Sequence, residues 1–168
     1  MSKHNLLKSL LFLVVIMLLV GSVSAATIKA AETISLDKDY KDDIYIMAGE
    51  TDLYGKIWGD AIMAGGDIYI DGEITQDLVA AAGEIAVNAR IGDDVRIAGG
   101  QVTLISEIQG DLVVAAGQVD INRGTVINKD LVVAAGVVNM NGNVNRNAKI
   151  SGGEIYINGP IQGDVLLD

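Results

Sequence analysis

Aspartate recurs in this chain with a spacing that could support metal chemistry. Equivalent positions of the repeat lie 17 residues apart, except for one interval of 19 between Asp111 and Asp130. The position between the last two aspartates is occupied by Asn147. The aspartates are Asp43, Asp60, Asp77, Asp94, Asp111, Asp130 and Asp164. If equivalent residues stack, the carboxylates repel one another, and Ca²⁺, which prefers oxygen ligands, would relieve that repulsion. The alternative is that each Asp accepts hydrogen bonds from backbone N–H groups in its turn. Because the Gly-Gly-x-Gly-x-Asp repeat of calcium β-rolls is missing from the sequence, we favour this second interpretation and predict no metal site.

Other chemistry has little support in the sequence. The single histidine is His4, and the chain has no cysteine. Ser-His and Cys-His catalysis and the usual zinc ligand sets are therefore excluded for the chain after its leader. No glycine-rich loop leads into a helix, so no nucleotide site is expected. We predict a protein that is not an enzyme and that needs no cofactor.

The repeat that carries these aspartates predicts strands. With Asp as position 1 of each unit, positions 2, 4, 9, 11 and 15 are mostly apolar, as in Leu112, Val114, Val119 and Ile121. Alternation with a period of two indicates strands, and breaks near positions 7, 13 and 17 predict three short strands per unit. We therefore expect an all-β, three-faced parallel β-helix of about seven 17-residue coils, in which stacked units share one core.

Position 7 of every unit is glycine, which predicts a corner where the backbone adopts φ values closed to other residues. The 19-residue unit holds its extra residues around Arg123-Gly124-Thr125, which predicts a bulge at another corner. The corner glycines are Gly49, Gly66, Gly83, Gly100, Gly117, Gly136 and Gly153.

The pattern divides the chain into three parts. Residues 1–25 form the predicted signal peptide, residues 26–42 an N-terminal partial coil or cap, and residues 43–168 the β-helix repeat domain. Lys3 and Lys8 give the leader its positive start, Leu10 to Val20 is an unbroken apolar run, and small residues end at Ala25, where we place cleavage. Eleven apolar residues are too few to span a bilayer, which makes an uncleaved anchor the less favoured alternative. The protein is therefore expected to be exported, to the extracellular space, the cell surface or the periplasm.

The charge of the chain limits its partners. Twelve basic residues face 22 acidic ones, a formal net charge of −10. Such a surface repels the phosphates of nucleic acids, so no nucleic acid is expected as a partner. Scattered aromatic residues could bind a carbohydrate, but two of them alone share a unit position, which makes this a weak alternative: Tyr45, Tyr54, Trp58, Tyr69 and Tyr156.

The outward positions of the strands differ from face to face. Positions 3 and 5 are mostly apolar, with Arg96 and Lys149 as interruptions, whereas the outward positions of the next strand are acidic or polar. Because soluble monomers seldom expose a continuous apolar face, we expect a contact surface, either between copies or with the segment Thr27 to Lys41 of the same chain. The residues predicted for self-association are Ile62, Val79, Val113 and Val132 on this face and Leu166 and Leu167 in the last coil.

The repeat resembles that of the bactofilins, which are polymer-forming cytoskeletal proteins. The resemblance covers residues 43–168 and lies in the pairs Gly59-Asp60, Gly110-Asp111 and Gly163-Asp164, each followed by an apolar strand and a glycine. It implies a right-handed β-helix that joins end to end into filaments without nucleotide. Bactofilins are cytoplasmic, so the leader marks this chain as an exported variant of the pattern.

These observations predict a non-catalytic, self-associating scaffold of the cell envelope whose partners are other copies of itself and other envelope proteins. The terminal coils, expected at Asp43–Gly59 and Asn147–Asp168, could add a neighbour's strands. The alternative is an envelope binding module that uses an acidic face or the Asp repeat to bind calcium or a cationic partner.

Overall fold

The computed structural model describes residues 26–168, and the predicted signal peptide lies outside this range. The described part is all-β, and none of its elements is a helix long and apolar enough to cross a membrane. Its strands are β1 (Thr27–Leu36), β2 (Ile44–Leu53), β3 (Lys56–Ile57), β4 (Ala61–Ile70), β5 (Glu73–Ile74), β6 (Leu78–Val87), β7 (Arg90–Ile91), β8 (Val95–Leu104), β9 (Glu107–Ile108), β10 (Leu112–Ile121), β11 (Val126–Ile127), β12 (Leu131–Met140), β13 (Asn143–Val144), β14 (Ala148–Ile157) and β15 (Val165–Leu167).

Two parallel sheets wind along one axis. The long strands and β15 form a nine-stranded sheet, and the two-residue strands form a six-stranded sheet. Equivalent positions pair from coil to coil, so that Leu112 lies between Val95 and Leu131. The chain is thus a β-solenoid of about eight turns with coils of about 17 residues, which confirms the predicted fold class. The right-handedness of the coil stays a prediction.

The number of strands per coil differs from the expectation. One ten-residue strand covers positions 2 to 11, and a two-residue strand covers positions 14 and 15. The long strand continues through position 7 because coils keep the same register on both sides of it, as in Ala48↔Gly65 and Glu50↔Asp67. The inward alternation nevertheless changes phase there: Ala80 and Ile85 are buried, whereas Gly83 and Glu84 are both exposed. Each coil therefore still has three inward-facing runs.

The prediction that the glycines at position 7 adopt φ values closed to other residues is wrong. Among the described glycines, Gly124 has the positive φ, at 97°. What restricts position 7 is the close approach of stacked coils: a Cβ on Gly66 would lie 2.7 Å from the carbonyl oxygen of Gly49, and one on Gly100 would lie 2.7 Å from that of Gly83. Gly124 belongs to the predicted bulge, where the Thr125 N–H donates to the Asn122 carbonyl at 3.1 Å to close a turn.

The core is built from columns of equivalent aliphatic side chains. Position 15, or its structural equivalent in the 19-residue unit, contributes residues without solvent exposure in six successive coils, namely Ile57, Ile74, Ile91, Ile108, Ile127 and Val144. Positions 2, 4, 9 and 11 supply further columns of Ile, Leu, Val and Met. Because each residue packs between its equivalents above and below, the fold presents its outward positions as straight columns.

The segment before the repeat continues the solenoid. β1 is a full ten-residue strand paired to β2, and Tyr40 forms a bridge to Ile57 in the second sheet. Its inward positions include Ile34 and Leu36, which are buried. The chain therefore enters the repeat as a coil in register with the next one.

Candidate functional site

The outward residues at positions 3 and 5 form one face, which we call the apolar wall. Val79, Val113 and Val132 occupy one column, each about 40% exposed, and Ile28 and Met47 near the N-terminal end are 78% and 68% exposed. The second column is mostly alanine, and it makes the face flat: Ala30, Ala64, Ala81, Ala98, Ala115 and Ala134. Near β1, the apolar wall encloses a shallow depression of about 300 Å³ lined by Ile28, Tyr45, Met47 and Ile62 among others.

The two basic residues of the apolar wall behave differently. Arg96 turns toward the neighbouring column, where its Nη2 lies 2.9 Å from Asp94 Oδ2 and its Nη1 lies 3.6 Å from Asp77 Oδ2. Its charge is therefore balanced beside the wall. Lys149 is exposed, and within residues 26–168 no carboxylate lies within ion-pairing distance of its Nζ.

The six residues predicted for self-association do not all share this face. Ile62, Val79, Val113, Val132 and Leu166 lie in one column of the apolar wall. Leu167 pairs with the buried Ile150 and so occupies an inward position, although it is 52% exposed in the last coil. Alternation with period two, counted from Asp164, already predicts from the sequence that Leu166 faces outward and Leu167 inward.

One predicted assembly surface is not a coil end. Asp43–Gly59 was expected to be the first coil, but its strand β2 pairs with β1 on one side and with β4 on the other. Its strand edges are therefore occupied within the chain. The first half of β1 is hard to recognise as a strand in the sequence because Thr27 and Lys29, at the inward positions 2 and 4, are polar.

The core ends in a polar side chain at position 4 of β1. Lys29 pairs with Ile46 and therefore occupies an inward position, and its Nζ donates to Tyr40 Oη at 2.9 Å. The same Nζ lies 5.2 Å from the centre of the Tyr40 ring. Lys29 belongs to β1 and Tyr40 forms a bridge to Ile57 of β3, so their contact spans the core at the first described coil.

The aspartates at position 1 form a ladder of hydrogen bonds between coils, which we call the Asp column. Each Oδ1 accepts from the backbone N–H of the equivalent residue in the next coil, as from Asp130 to Asp111 at 2.9 Å. Asn147 continues the series, because its Oδ1 accepts from the Asp164 N–H at 3.0 Å. The remaining steps are the same at 2.9 to 3.0 Å and link Asp43, Asp60, Asp77, Asp94 and Asp111, then Asp130 and Asn147.

One group of carboxylates has the proximity that a cation site needs. Oxygen atoms of Asp77, Asp93 and Asp94 lie within 4.8 Å of one another. Arg96 and Lys129 already contact this group, with Lys129 Nζ 3.4 Å from Asp93 Oδ1. The hydrogen bond from the Asp111 N–H, with Arg96 and Lys129 nearby, holds the pKa of Asp94 below its ordinary value. Two side-chain cations therefore balance part of the negative charge of this group.

A further column was missed in the sequence. The outward position 14 alternates in sign along five successive coils, as Asp39, Lys56, Glu73, Arg90 and Glu107. Lys56 Nζ lies 2.9 Å from Glu73 Oε1 and 3.9 Å from the centre of the Trp58 ring, and Arg90 Nε lies 3.9 Å from Glu107 Oε2. A search of outward positions at the unit spacing would have found it. Opposite charges on adjacent strands favour this register of coils over a shifted one.

The outward positions 8 and 10 form the acidic wall, with Glu50, Asp67 and Glu84 in adjacent coils. Tyr69 lies on this wall and meets the corner residue Tyr54, with ring centres 6.1 Å apart. Trp58 contacts Lys56 at the other sheet, and Tyr156 lies five coils beyond Tyr69. The aromatic residues are thus not assembled into one platform.

Comparison with known proteins adds no relative. No family model, no curated protein and no solved structure matches the chain.

Proposed function

We propose that this protein is a non-catalytic structural component of the cell envelope that associates with other copies of itself. The observation that carries the proposal is the apolar wall, which runs along the solenoid with exposed valine, isoleucine and alanine side chains. Soluble monomers rarely leave so continuous an apolar face in water. The resemblance to bactofilins supports the same role, and the predicted leader supports its place outside the cytoplasm.

The fold suits a scaffold. Its core is a stack of aliphatic columns, and equivalent outward positions recur at each coil, so similar contacts can be made at several coils along the solenoid. The candidate side chains for chemistry are engaged in structure: the Asp column bonds backbone N–H groups, and Arg96 and Lys129 contact the Asp77, Asp93 and Asp94 group.

Light scattering and negative-stain microscopy of residues 26–168 over a concentration series test this function. This part contains every described strand and the whole described core. We expect the mass to rise with concentration equally in calcium and in chelator. A monomer at every concentration would contradict the proposal, and association that requires calcium would favour a calcium-binding module on the Asp column instead.

A further inference from the structure

We infer that copies of this protein associate side by side, apolar wall against apolar wall, and that the end of the solenoid at β1 is closed to a neighbouring coil. The inference rests on the proposed self-association and specifies its surface and its partner, a second copy of this chain.

The end at β1 carries a polar pair where every later coil carries aliphatic side chains. Lys29 takes the inward position that Ile46 fills in the next coil, and Tyr40 takes that of Ile57. A coil stacked in front of β1 would bury the Lys29 ammonium, whose hydroxyl partner carries no compensating charge. An inward-pointing charge on an edge strand is a known means of preventing edge-to-edge pairing. End-to-end joining at β1 is therefore unfavourable.

Charge favours the apolar wall as the meeting surface. The chain has a net charge of −10, so two copies repel each other through most orientations. From Ile28 to Ser151, positions 3 and 5 contain no acidic residue, and the charge of Arg96 is balanced by Asp77 and Asp94. Lys149 can meet the Asp column of the second copy, which borders the apolar wall.

The area is sufficient for a specific contact. Nine strands have eight intervals of about 4.8 Å between them, and a width of five residues of about 3.3 Å each then gives the wall about 600 Å². Two walls in contact would bury about 1,200 Å², above the roughly 1,000 Å² expected of a specific interface. The alanine column lets two sheets approach to the roughly 10 Å separation of packed sheets.

Two matched substitutions test the surface. Ala115→Lys places a charge on the apolar wall, and Ala86→Lys makes the same change at position 10 of the acidic wall. Both lower the net negative charge equally, so general repulsion cannot explain a difference between them. Light scattering gives the mass over a concentration series, and thermal melts establish that both variants fold.

We expect Ala115→Lys to raise the concentration needed for association at least about tenfold, and Ala86→Lys to leave it unchanged. If the wild-type protein associates and Ala115→Lys associates equally well, the side-by-side contact is wrong while self-association stands. If Leu167→Lys alone prevents association, the contact is at the last coil and the inference is overturned. If the wild-type protein is monomeric throughout, both proposals fail.

Discussion

Lys29 Nζ lies 2.9 Å from the Tyr40 hydroxyl, and this hydrogen bond links β1 to the residue that bridges to Ile57 of the second sheet. Lys29 sits where the next coil has Ile46, which is 4% exposed. The pair therefore distinguishes this end of the solenoid from its interior. Lys29 thus makes the first coil hard to recognise from the sequence, and the same side chain closes that coil to a neighbouring one.

Lys29→Leu should open that end. At concentrations where the Ala115→Lys variant is monomeric, adding Lys29→Leu is expected to restore a mass that rises with concentration, because the end of the core becomes aliphatic. Light scattering of the single and double variants measures this. A double variant that remains monomeric would show that Lys29 does not prevent end-to-end contact.

The Asp column predicts that the acceptor oxygen matters more than the charge. Asp111→Ala leaves the Asp130 N–H without its acceptor and should lower the free energy of unfolding by about 1–2 kcal/mol. Asp111→Asn keeps an oxygen there, as Asn147 does naturally, and should cost less than half as much. Urea unfolding measures both variants, and equal losses would argue against the ladder.

The stabilisation that the Asp94 carboxylate gives the folded protein should be lost in acid. Its pKa is lowered in the folded protein by the Asp111 N–H first and by Arg96 and Lys129 as well. A lowered folded pKa means that its stabilisation is complete above the unfolded value, about 3.9, and is lost as the pH falls through the folded pKa. Asp94→Asn should therefore be less stable than the wild type at pH 7, by a margin that shrinks in acid.

Urea unfolding of the wild type and Asp94→Asn at neutral pH and in acid checks this prediction. The charge on Asp94 contributes nothing if the difference between the two proteins is constant with pH.

Replacing threonine by valine should change the free energy of unfolding in opposite directions at two buried positions. Thr51 is buried between Ile34 and Ile68, and its Oγ1 has no hydrogen-bond partner. Thr51→Val should therefore raise the free energy of unfolding by about 1 kcal/mol. Thr125 is also buried, but its Oγ1 donates to the Leu104 carbonyl at 2.8 Å. Thr125→Val should lower the free energy of unfolding by about 1–2 kcal/mol, and thermal or urea unfolding that ranks the two variants the other way would contradict this account.

Much of the fold follows from the unit of 17 residues. The columns of Ile57 and Ile74 could be predicted because burial selects aliphatic residues at fixed positions, and the bulge at Gly124 could be predicted because the unit there is longer. The strand count could not, because a glycine such as Gly66 is compatible both with a corner and with a continuous strand.

The site was predicted less completely for a physical reason. Alternation reveals which way a side chain faces, so the column of Val79, Val113 and Val132 was recognised. It does not reveal partners in other coils or sheets. The bridge from Lys29 to Tyr40 and the turn of Arg96 toward Asp94 both depend on contacts that become visible when the coils are stacked.

Sedimentation velocity of residues 26–168 in chelator, over a wide range of concentrations, tests the central claim most directly. Self-association predicts a sedimentation coefficient that rises with concentration, and the Ala115→Lys variant should remain at the monomer value where the wild type does not. A wild-type protein that sediments as a monomer throughout that range would contradict the account.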